Sequence, residues 1–104
     1  MPRKTPKASA TAAIWRDASS YEHGQRGVVE PTAWSLDLAD GVRVVVHRWR
    51  GLAGWHVTCP ALRVDTEQLK SESGMAARQE AIELLRRRAR VIAEVLSVDV
   101  KEPA

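Results

Sequence analysis

The chain has 104 residues, enough to bury one core but not to build two lobes that close on a substrate. Hydrophobic residues at 44% and charged residues at 28% are ordinary for a folded globular protein and exclude wholesale disorder. One cysteine, Cys59, excludes an internal disulfide framework, and no apolar run approaches the roughly 18 residues of a membrane span. The basic start, Pro2-Arg3-Lys4-Thr5-Pro6-Lys7, leads into small polar residues and not an apolar signal core, so the expectation is a cytoplasmic protein.

The net charge of +3 conceals strong segregation. Residues 1–16 sum to +4, residues 17–40 to −4, residues 41–63 to +4, and the remainder to −1. Arginine outnumbers lysine 12 to 4, which favours bidentate and stacking contacts. Four Trp stand beside one Tyr and no Phe, so tryptophan must fill aromatic core positions.

Residues 1–13 read as a flexible basic tail, 14–98 as a single domain and 99–104 as a C-terminal tail. Ala8 to Ala18 has the makings of a helical turn or two around Ile14 and Trp15, and residues 19–32, with Gly24, Gly27 and Pro31, read as irregular connection. From Trp34 the pattern sharpens. Trp34, Leu36 and Leu38 alternate with Ser35 and Asp37, the period of a half-buried strand. Ala39-Asp40-Gly41 separates this strand from Val42–Trp49, which is rich in β-branched residues. A two-residue turn would set apolar side chains against charged ones. A three-residue loop with Gly41 left-handed pairs Leu38 with Val42, Leu36 with Val44 and Trp34 with Val46, and places Asp37 opposite Arg43.

Gly51–Gly54 reads as a second turn, followed by a strand over 55–59 that Pro60 stops; Leu62 and Val64 extend this edge or form a short extra strand. Ser73 is a plausible N-cap for a helix from about Gly74 to Leu96, near 33 Å long by the rise of an α-helix. Met75, Ile82, Leu85, Ala89, Ile92 and Leu96 give its stripe, widened by Ala81, Leu84, Val91 and Val95. The fold class is therefore α+β: a three-stranded antiparallel meander (34–38, 42–49, 55–59) under one long C-terminal helix. The expected core is Trp34, Leu36, Leu38, Val42, Val44, Val46, Trp55, Val57, Ile82, Leu85, Ala89 and Ile92. Such a helix outruns a short sheet. Its apolar end, Val91, Val95 and Val98, needs another partner: the residues before Trp34, or a second copy of the chain.

No constellation assembles chemistry. His47 and His56 fall across from each other on the solvent face and Cys59 on the opposite one, without the tight ligand spacing of structural zinc. Cys59 reads as a small core residue, and no nucleophile elbow, phosphate-binding glycine loop or metalloprotease pair is present. Glu80, Glu83 and Glu94 read as a solvated helix face, with Arg86, Arg87, Arg88 and Arg90 beside them. No catalytic residue, cofactor, metal or small-molecule substrate is expected. The basic hairpin carries the clearest surface signal: Arg43, His47, Trp49, Arg50 and His56 form an outer sheet face able to stack a base and meet phosphates.

The order of strands, Trp55-His56-Val57-Thr58-Cys59-Pro60-Ala61-Leu62, a polar link and the Ala-rich helix from Ala76 resembles the HicB-type antitoxin domain over residues 42–96. The family's Pro-Gly after this step is replaced by Arg63-Val64, and no functional residue carries over. The resemblance implies a protein partner, and the Arg- and Ala-rich composition is of a kind frequent in bacterial and prophage proteins. The expected function is a small non-enzymatic interaction module, self-associating or binding another protein. The alternative is a nucleic-acid-binding module using the Trp-bearing face.

Overall fold

The computed structural model describes residues 13–49 and 53–103. Five antiparallel strands lie in sequence order, β1 (Arg16–Asp17), β2 (Ala33–Asp37), β3 (Arg43–His47), β4 (His56–Cys59) and β5 (Val64–Gln68), and one helix, α1 (Gly74–Val95), follows them. The α+β class holds, but among the described residues the sheet has five strands and not three. The expected helical turn ahead of residue 18 is replaced, where the chain is described, by β1, paired with Ser35 and Trp34 of β2. Its other half, and the basic tail over 1–12, lie outside the described residues.

The hairpin register follows the apolar pairing: Leu36 opposes Val44, Trp34 opposes Val46 and Asp37 opposes Arg43. The connecting Ala39-Asp40-Gly41 turn is closed by the Leu38 N–H donating to the Val42 carbonyl at 2.7 Å. Both Asp40 (φ 61°) and Gly41 (φ 75°) are left-handed, a conformation that aspartate tolerates better than bulkier residues. Pro60 ends β4 as expected, and a single turn over Pro60–Leu62 with Arg63 left-handed reverses the chain into β5. The β4–β5 ladder is irregular. Val57 pairs with Glu67 and Cys59 with Val64, so Asp65 and Thr66 together oppose Thr58 as a β-bulge.

One sheet face is buried beneath α1. Leu36, Val44, Val46, Val57, Cys59 and Val64 supply it, with Trp55 and Leu69 at its margin. The helix starts at Ser73, whose hydroxyl accepts the Ala76 N–H at 3.1 Å, the expected N-cap. Its buried face is Ala77, Ala81 and Leu85, flanked by Ile82 and Leu84. This is rotated from the expected stripe: Met75 and Ala89 are exposed, Ile92 is half-buried, and Leu38 is also mostly outside the core at 41% exposure. Two indoles explain the rotation. Trp34 and Trp55 fill the space over the sheet, so α1 can approach only through small residues. A Cβ on Gly74 would stand 3.3 Å from both rings, and Ala77 and Ala81 are fully buried. Arg78 covers the outer side of Trp34 at 3.9 Å, and Trp15 packs against the same cluster.

Candidate functional site

The face of the sheet away from α1 carries Val45 and His47 of β3 with His56 and Thr58 of β4, as strand parity requires. Parity does not settle exposure. The connection over 18–32 runs back across this face, fixed at its root by Ser19. The Ser19 hydroxyl accepts the N–H groups of Thr32 (2.8 Å) and Ala33 (3.1 Å), and the Ala18 N–H donates to the Ala33 carbonyl at 2.9 Å. Together with the sheet it encloses a cleft of about 890 Å³, with Val45, His47, Thr58, Asp65 and Thr66 on the sheet side and Tyr21, Val29 and Glu30 on the other.

The expectation that His47 and His56 are solvated is corrected: each is only 4% exposed. His47 Nε2 is hydrogen-bonded to the Thr58 hydroxyl at 3.3 Å, and that oxygen also accepts the Thr66 N–H at 3.0 Å. The Nδ1 atoms of both histidines are buried without a partner among the described residues. Burial, and then the neighbouring His56, push the His47 imidazole below its ordinary pKa, so it is neutral at pH 7 and offers no positive charge to a phosphate. Trp49 is 54% exposed, and its indole stacks on His47 with centroids 4.6 Å apart.

The remaining predicted site residues are scattered. Arg43 is exposed at the far end of β3, where its Nε donates to Asp37 at 2.7 Å. That bond holds the Asp37 carboxyl below the usual carboxylate range. Arg50 lies outside the described residues. Two acids that the sequence left unassigned, Glu30 and Asp65, join the cleft instead. Neither has an ion-pair partner among the described residues, and the only hydrogen bond to Asp65 comes from the neighbouring Thr66 hydroxyl. No local signal could find them, because Glu30 reaches the cleft through a loop path and Asp65 through the bulge.

The other candidate surface is the end of α1. Val91 (54%) and Val95 (63%) are exposed, and Leu96, Val98 and Val100 continue the exposed apolar run. Trp15 lies instead beside Gln79 and Ile82, nearer the helix start, so the described residues before Trp34 leave this end uncovered. Among the described residues, Arg86 pairs with Glu83 at 3.9 Å and Arg88 with Glu67 at 3.5 Å, while Arg87 and Glu94 have no ion partner. No group of three or more potential metal ligands occurs among the described residues, and no described helix is long and apolar enough to cross a membrane. No family model, curated protein or solved structure matches the chain.

Proposed function

We propose that this protein is a non-enzymatic interaction module that pairs with a second copy of itself through the C-terminal half of α1. The observation that carries this reading is the exposed apolar surface at Val91 and Val95 of α1, continued past the helix end by Leu96, Val98 and Val100, which no described residue covers. Charge pattern favours a self-partner. A two-fold axis near Val91 lays two helices antiparallel, sets Val91 beside its symmetry mate and places Arg87 of each copy against Glu94 of the other. Both of these side chains lack an ion partner within the described chain. An interface of this kind is isologous and closes at the dimer. The HicB-type likeness supports the same class of function, because that family acts by binding a protein.

The nucleic-acid alternative has less support. Of its five residues, Arg43 is tied to Asp37, His47 and His56 lie below the surface, and the cleft beside Trp49 bears carboxylates.

Sedimentation equilibrium tests self-pairing. The wild-type chain is expected to dimerise with a melting temperature that rises with concentration, and Val91→Asp/Val95→Asp to be folded but monomeric, with that dependence lost. Arg87→Glu should weaken the dimer, and Arg87→Glu/Glu94→Arg should restore it. A wild-type chain that stays monomeric at its highest soluble concentration overturns the self-partner, and a double swap that fails to restore pairing overturns the antiparallel register.

A further inference from the structure

The cleft on the outer sheet face has a consistent recognition chemistry, separate from the helix end. One wall is Trp49, whose indole rests on His47 at 4.6 Å on one side and yet is 54% exposed. A half-open indole face attracts a flat cation through its quadrupole, and more so a guanidinium, which is planar and weakly hydrated. The same cleft holds Glu30 and Asp65, two exposed carboxylates without an ion partner among the described residues. The one described cation that lines it, Arg48, sits over the Trp55 ring at 5.5 Å. Its floor is His47, 4% exposed, with the ring held neutral and so adding no positive charge to the cleft. The bulge that brings Asp65 to the cleft also holds Thr66 at φ 50°, a strained conformation for a β-branched residue.

We propose that this cleft binds a guanidinium group, stacked on the open face of Trp49 and ion-paired to Glu30 and Asp65. Carboxylates accept from a guanidinium through paired, charge-assisted hydrogen bonds, whereas they repel a phosphate or nucleotide. A free guanidino compound and the arginine side chain of a partner peptide present the same group, and the two are separable by experiment.

The test is a titration of the full chain with agmatine, read at the Trp49 indole N–H resonance and by calorimetry. Saturable binding is expected, with the neutral ureido analogue of agmatine at least about tenfold weaker. Trp49→Ala and Glu30→Gln/Asp65→Asn should each lower affinity by about tenfold, with a cooperative melting transition retained in both variants. A capped Gly-Arg-Gly peptide is the second arm: binding of agmatine alone assigns a free compound, and binding of both assigns an arginine side chain. No saturation with agmatine, equal binding of the ureido analogue, or variants that bind as the wild type overturns the site. Adenosine monophosphate that shifts Trp49 more tightly than agmatine does so as well.

Discussion

His47 and His56 stand directly opposite each other on β3 and β4, their ring centroids 6.1 Å apart, both almost fully buried and both with Nδ1 unpartnered among the described residues. A proton on the His47 ring is disfavoured by burial and by the neighbouring His56 across the ladder.

Stability should therefore fall on mild acidification. Burial and His56 lower the His47 pKa from its ordinary 6.5, so the unfolded chain takes up the proton first. The contribution is complete above that unfolded value and is lost as pH falls through the lower folded value. Melting temperature should drop between about pH 7.5 and pH 5, and His47→Leu should flatten the profile. A wild-type profile that is level across this range excludes a buried His47 with a lowered pKa.

Glu80 is a clamp and not a solvated acid. Its carboxylate accepts the N–H groups of Lys70 (2.9 Å) and Ser71 (2.9 Å) and the Ser71 hydroxyl (2.7 Å), which fastens the approach to α1 onto the helix. Partial burial opposes its ionisation, but these hydrogen bonds together hold its carboxyl below the usual range. Glu80→Ala should cost about 1–3 kcal/mol in urea unfolding, as expected for backbone donors deprived of a charged acceptor. Glu80→Gln should lose less. The wild-type margin over Glu80→Ala should shrink as pH falls through the lowered carboxylate pKa.

The face that α1 buries can be read by enlarging its alanines. Ala81 is fully buried and Ala89 exposed. Ala81→Leu should destabilise by about 1–3 kcal/mol through overpacking. Ala89→Leu should stay within about 0.5 kcal/mol of the parent. The reverse ranking, by differential scanning calorimetry, would place the helix one residue step around its axis.

Thr66 is held left-handed at φ 50° within the bulge that lines the cleft. Thr66→Gly should relieve that strain and raise stability by about 1 kcal/mol, because glycine adopts positive φ at no steric cost. The Thr66 N–H that donates to the Thr58 hydroxyl is retained in this variant. A loss of stability instead would mean that the threonine side chain, and not the bulge, holds the turn.

Legibility differed by element for identifiable reasons. The β2–β3 register was readable because one-residue slippage would bury Arg43 and expose Val44, a conflict visible in the letters themselves. The Ser73 cap was readable because a local side chain meets a local donor. The helix face differs from the expected stripe at Met75 and Ala89, which are exposed, while Ala77 and Ala81 are fully buried and Gly74 lies against Trp34 and Trp55. β1 and β5 were missed as full strands, β1 because two residues carry no period and β5 because its alternation is broken by the bulge.

For the functional surfaces the division is similar. Sequence periodicity determined that His47, Trp49, His56 and Thr58 share one sheet face and that the apolar stripe of the helix outlasts the sheet. Both follow from fixed repeats of 2.0 and 3.6 residues, which are properties of the chain alone. Only the tertiary structure decided that the histidines are buried, that Glu30 and Asp65 line the same cleft as Trp49, and that Trp15 serves the start of the helix and not its end. Burial and proximity depend on the path of 18–32 over the sheet, fixed by hydrogen bonds at Ser19 between residues 13 and 14 positions apart, and no local pattern encodes a closure of that length.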